Sequence, residues 1–141
     1  MRTTRWMFIL GLVAVVATGG TIQALAASAA QTGLTQQVAG GGVMVVATLL
    51  KDQAETMAVK LALETHSVNL DGYILENLAV LRDDSGKRYQ VQAVEQASGG
   101  GHHRLAVLRF GKVRAEARTL ELIVKDVAGV KERTFRWALT D

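Results

Sequence analysis

All three histidines of this chain fall in two short motifs, Thr65-His66-Ser67-Val68-Asn69-Leu70-Asp71 and Gly99-Gly100-Gly101-His102-His103-Arg104. Imidazole suits copper, zinc and nickel, and a compact centre needs neutral rings brought together from separate segments. His66 meeting His102 or His103, with Asp71 or Glu95 as an oxygen ligand, would make such a copper or zinc site. The glycine run gives the backbone the freedom that closure around an ion requires. The competing reading makes these residues structural. The motifs lack the tight H-x-x-x-H or C-x-x-C spacing of a strong metal signature. Strand alternation would also send His102 and His103 to opposite faces. A histidine at a strand end then serves to hydrogen-bond backbone or close a turn. Both readings stay open on sequence.

Other chemistries have less to stand on. Behind residue 30 the serines are Ser67, Ser85 and Ser98, and none sits in a G-x-S-x-G elbow. Ser67 adjoins His66, but neighbouring strand residues face apart, which disfavours activation of the hydroxyl. Gly99-Gly100-Gly101 is not followed by the Lys-Ser/Thr and helix that phosphate binding needs. Arg104, Arg109, Lys112, Arg114 and Arg118 are interleaved with Glu116 and Glu121 and read as a solvated face. Tyr73, Tyr89, Phe110, Phe135 and Trp137 belong to the core by alternation, leaving no stacking platform for nucleic acid or sugar. A small envelope enzyme is therefore only a remote alternative.

These residues must be positioned by a series of short apolar segments. Val43–Leu50 is apolar on both faces, as a strand buried between two layers would be. Alternation recurs through Met57, Val59, Leu61 and Leu63, then Tyr89, Val91 and Ala93, then Leu120, Leu122 and Val124, and finally Phe135, Trp137 and Leu139. Leu78–Arg82 and Leu105–Phe110 are shorter apolar runs. Asp83-Asp84-Ser85-Gly86 and Asp126-Val127-Ala128-Gly129 have the Asp and Gly content of hairpin loops. The Ala-, Glu- and Lys-rich stretch Lys51–Glu64 also fits one helical face, but its period of two favours strand. Asp71–Asn77 is expected to hold one helical turn capped by Asp71. About seven strands at regular spacing predict an antiparallel β-sandwich or barrel.

The N-terminus carries an address. Arg2 and Arg5 precede an apolar run from Trp6 to Ala17, and Ala24-Leu25-Ala26-Ala27-Ser28-Ala29-Ala30 supplies A-x-A cleavage sites. That is the anatomy of a bacterial export signal, with an uncleaved membrane anchor as the alternative. The 141-residue chain has no Cys, which excludes a lipoprotein anchor and any disulfide. Two of its 16 Lys and Arg residues leave with the signal, giving 14 against 13 acidic residues in the remainder. A balance so close to neutral offers no electrostatic case for nucleic acid.

Thr65-His66-Ser67-Val68, Leu78-Ala79-Val80-Leu81-Arg82-Asp83-Asp84, Gly100–Arg104 and Arg133-Thr134-Phe135-Arg136-Trp137 together resemble a family of exported or membrane-anchored bacterial immunoglobulin-like domains without an assigned activity. The resemblance covers about 100 residues and departs at Asn69, where the family pattern has an acid. It implies an all-β fold, an immunoglobulin-like antiparallel sandwich of about seven strands. The resulting expectation is a signal or anchor over 1–29, a flexible leader over 30–42 and the sandwich over 43–141. The expected function is an exported binding module that engages another envelope protein without catalysis, in the periplasm or outside the cell. It would touch membrane only through an uncleaved N-terminus. The alternative is a periplasmic copper or zinc protein using His66, His102, His103 and Asp71.

Overall fold

The computed structural model describes residues 34–50 and 56–139. The export signal or anchor, both cleavage sites and Lys51–Glu55 lie outside the described residues. Eight strands follow one another: β1 (Thr35–Gly40), β2 (Val43–Leu50), β3 (Met57–Thr65), β4 (Ala79–Asp83), β5 (Arg88–Gly100), β6 (His103–Phe110), β7 (Thr119–Val127) and β8 (Val130–Ala138). A single helical turn, α1 (Leu75–Leu78), precedes β4. Among the described residues no helix is long and apolar enough to cross a membrane.

Every pairing is antiparallel, and the strands form one continuous order, β1-β2-β3-β6-β5-β4-β7-β8. β5 makes this continuity possible. Its first residues, Arg88–Gln90, pair with β4, and from Val91 to Gly100 it pairs with β6 across two register shifts. Such irregularities bend a strand and increase its twist, and the sheet curls until β8 lies beside β1.

The seam between β1 and β8 is closed by side chains. The Gln36 carboxamide donates to the Arg136 carbonyl (2.5 Å) and accepts from the Arg136 N–H (3.2 Å), standing in for one peptide rung. Trp137 Nε1 donates to the Leu34 carbonyl at 3.0 Å. Arg133, 2% exposed, donates through Nη2 to the Gly40 carbonyl (2.6 Å) and through Nη1 to that of Val127 (3.0 Å). Its Nε has no acceptor among the described residues, and burial draws the guanidinium below its ordinary pKa.

The core is the inward row of each strand. Val43, Val45, Ala47 and Leu49 meet Val59, Leu61 and Leu63, then Ala106, Leu108 and Phe110, and across the interior Leu81, Leu120, Leu122, Phe135 and Trp137. Five expectations are corrected here. β2 alternates buried with half-buried residues instead of being covered on both faces, because only one side of the curled sheet faces the core. The leader over 30–42 is not a free segment in its described part: Thr35–Gly40 form β1, paired with β2 over six residues. Gly41 and Gly42, at φ of 59° and 77°, make the two-residue hairpin turn between them. β1 also makes eight strands where about seven were expected. Asp71 caps no helix, since α1 begins after Ile74 without a side-chain cap. Lastly, three of the five cations of the supposed solvated face are engaged: Arg104 donates to the Leu70 and Tyr73 carbonyls, Arg109 pairs with Glu95, and Arg114 with Asp83, while Lys112 and Arg118 are exposed.

Asp83 anchors the end of the molecule that holds the β4–β5 hairpin. Its carboxylate accepts from Ser85 N–H and Oγ (2.9 and 2.6 Å), Lys87 N–H (3.1 Å), Tyr89 hydroxyl (2.9 Å) and Arg114 Nε (2.9 Å). Burial alone would push this carboxyl up, but the donors of Ser85, Arg114, Tyr89 and Lys87 outweigh it and hold it well below the usual range. On the outer face Arg82 and Arg136 clasp Glu121 from either side and lower its pKa against the effect of burial. A carboxyl lowered by folding contributes stability at pH values above its unfolded pKa, about 4, and loses it as pH falls toward the folded value. Melting temperature is therefore expected to be level from neutral pH down to about 5 and to fall steadily below about 4. Asp83→Asn should flatten that fall. An unchanged acid profile in the variant would remove Asp83 as its source.

Candidate functional site

The two histidine motifs meet at the end of the molecule opposite Asp83. β3 ends at Thr65, whose buried hydroxyl donates to the Gly42 carbonyl (2.6 Å) and accepts the Ser67 and Val68 N–H groups (both 3.2 Å). This hydroxyl-centred turn leaves His66 outside, exposed. The β5–β6 hairpin turns on Gly101 and His102, with Gly100 opposite His103. Gly101 has φ of 62°, and glycine takes that conformation at no steric cost. Gly99 admits no other residue: at φ of 79° a Cβ there would lie 2.2 Å from the His103 carbonyl oxygen.

Backbone bonds zip one motif to the other. Thr65 N–H donates to the His102 carbonyl (3.0 Å), and Leu70 N–H to that of Gly101 (2.8 Å). Asp71 Oδ1 accepts the Gly101 N–H at 2.7 Å, and the Asp71 N–H is held by Asn69 Oδ1 at 2.8 Å. Asn69 thus shapes the loop that places Asp71.

The result is an open groove of about 720 Å³ lined by Ala39, Gly40, Gly42, Val43, Met44, Glu64, Thr65, His66, His102 and His103. All three histidines border it. His102 and His103 do so together, contrary to the expectation from alternation, because His102 belongs to the turn and not to the strand. His103 Nδ1 stands 3.7 Å from Glu64 Oε1, its direct cross-strand partner. Asp71 and Glu95 are not in the lining: Asp71 is committed to Gly101, and Glu95 to Arg109 further along the sheet. Among the described residues no group of three or more His, Cys, Asp or Glu side chains is placed to hold a metal ion.

Met44 and Glu64 are the lining residues that sequence reasoning missed. Alternation from the buried Val43 and Leu63 turns both outward, and the register sets Met44, Glu64 and His103 in one transverse row. Alternation was legible; register was not. A second concavity of about 380 Å³ beside Arg82, Glu121 and Arg136 is lined by charges already paired with one another.

Compared with family models, curated proteins and solved structures, the chain matches none.

Proposed function

We propose that this chain is an exported, immunoglobulin-like β-sandwich that works by binding another protein of the bacterial cell envelope, without catalysis, through the histidine-lined groove. The observation that carries this reading is the convergence of both sequence motifs on one open groove, held by backbone bonds that leave the imidazoles exposed. Strand order supports the fold assignment. With β2 to β8 read as A to G, the order is A-B-E-D followed by C-F-G, the constant-type immunoglobulin arrangement. The long β5, in the place of D, passes from one half to the other. The core is built without the inter-sheet disulfide of antibody domains, since the chain has no Cys.

Photo-crosslinking in intact cells tests the reading. A photoreactive residue at His66 or His102 is expected to capture one envelope protein, and one at Lys87, on the opposite end, to capture none. Equal capture from both ends, or capture of cytoplasmic proteins, would overturn it.

Copper or zinc binding is the second reading, favoured by three imidazoles on one rim with Glu64 beside His103. An ion that binds only the folded state stabilises it by about 2.7 kcal/mol at a hundredfold excess over its dissociation constant. Under the binding-module reading, Cu(II) or Zn(II) shifts the melting temperatures of wild type, His66→Ala and His102→Ala/His103→Ala equally or not at all. A rise confined to wild type would establish the metal reading instead.

A further inference from the structure

The outward face of β2, β3 and β6 carries an apolar middle row, and Lys60 and Glu64 flank that row in a self-complementary pattern, while Arg109, one row beyond Lys60, is paired with Glu95. Register places its residues in transverse rows. The middle row is Val46, Ala62 and Leu105. On one side lies the row of Met44, Glu64 and His103, and on the other the row of Thr48, Lys60 and Val107. Val46 and Leu105 are half-buried and Ala62 is 8% exposed, whereas Lys60 and Glu64 stand exposed on either side of Ala62. One cation and one anion are thus spaced symmetrically about an apolar midline on the same strand.

We propose that this face docks a second copy of the chain, sheet upon sheet, about a two-fold axis that runs along the Val46–Ala62–Leu105 row. Rotation about that axis reverses strand direction and lays each column on its own copy, β3 antiparallel to β3. Each residue of the middle row then meets itself, and the Glu64 row falls over the Lys60 row. Two identical Lys60–Glu64 pairs form, one on each side of the axis, as an isologous interface requires. Stacked sheets pack about 10 Å apart with their strands within about 30° of alignment, a spacing that apolar side chains of this size fill. Rotation about the strand direction would instead set Lys60 on Lys60 and Glu64 on Glu64, so the charges select one of the two stackings. Three strands and three rows make a patch smaller than the roughly 800 Å² per partner of a standard interface, which makes the dimer a weak one. The proposal rests on different observations from the groove's partner, but Met44, Glu64 and His103 border both surfaces, so the two associations compete there.

Sedimentation equilibrium of the full chain over a wide concentration range tests it. Lys60→Glu or Glu64→Lys turns both pairs into like charges and is expected to weaken self-association roughly tenfold or more, tenfold being 1.4 kcal/mol. The double reversal Lys60→Glu/Glu64→Lys restores self-complementarity and should restore the dimer, which separates lost pairing from lost folding. A further arm uses the absence of cysteine: Ala62→Cys introduces a single thiol on the axis, facing its copy across sheets about 10 Å apart, a span that a short bis-maleimide bridges and a direct disulfide does not, and should give a crosslinked dimer. Gln90→Cys, exposed on β5 where it pairs with β4, should stay monomeric. The proposal is overturned by a chain that remains monomeric throughout, by association insensitive to the charge reversals, or by equal crosslinking at the two positions.

Discussion

Trp137→Ala is expected to lower the free energy of unfolding by about 3–5 kcal/mol, the transfer of a large ring to water plus the cavity it leaves. Trp137 is 3% exposed and lies with Phe135 on the inward row of β8, among Leu120, Leu122 and Leu81. Its indole N–H also ties the end of β8 to the Leu34 carbonyl, just before β1. That carbonyl keeps a second donor, Leu49 N–H at 2.9 Å, so the variant leaves no orphaned acceptor there. The loss is therefore mainly one of packing. Trp137→Phe, which keeps most of the buried ring and removes only the hydrogen bond, should cost much less than alanine. Against a domain stability of roughly 5–15 kcal/mol, the alanine variant becomes marginal. Urea denaturation followed by far-ultraviolet circular dichroism measures both. A cost below about 1 kcal/mol for alanine would mean that β8 does not present this face to the core.

Arg133 carries the second large effect. Its guanidinium is buried at the seam, donates to two main-chain carbonyls and has no carboxylate partner among the described residues. Arg133→Ala removes the buried stem and one donor from each of the Gly40 and Val127 carbonyls, which keep the hairpin-closing partners Val43 and Val130, with an expected cost of about 3–5 kcal/mol that comes mainly from packing. Arg133→Met separates the contributions. It refills most of the space and removes the buried charge, a replacement that is often neutral or stabilising elsewhere. Here it still removes the two hydrogen bonds to the Gly40 and Val127 carbonyls, at about 0.5–1.5 kcal/mol each. Methionine should therefore fall between alanine and wild type. Stability equal to wild type in Arg133→Met would show that the two bonds to Gly40 and Val127 contribute nothing net to closing β1 against β8.

The sequence was legible wherever a period of two ran long enough to be counted. Phe135 and Trp137, Leu120 and Leu122, and Leu61 and Leu63 all took the buried positions that alternation assigns. Asp83-Asp84-Ser85-Gly86 formed its hairpin, with Gly86 at φ of 85°. β1 was missed because Thr35–Gly40 is polar and small and buries no residue fully. It is a strand because β2 offers an edge, and β8 meets its other side with side chains. The reach of β5 into Gly99 and Gly100 was missed for a related reason. Glycine weakens a strand locally, yet pairing with β6 and the turn at Gly101 hold this one.

For the groove, sequence alone picked out the residues whose types could carry chemistry and placed them at the ends of strands, because residue type and alternation are local properties. It also identified the two motifs that the fold joins. Tertiary structure decided the rest: that His102 leaves the alternation by standing in a turn, that Asp71 holds Gly101 and does not reach the groove, and that Glu64 and Met44 share a row with His103. The physical reason is register. A one-residue slip between β3 and β6 would keep every local pattern while replacing every cross-strand neighbour. Here the register is fixed by distant contacts: the Thr65 N–H on the His102 carbonyl, and a core that closes only when Leu63, Leu108 and Phe135 face inward together.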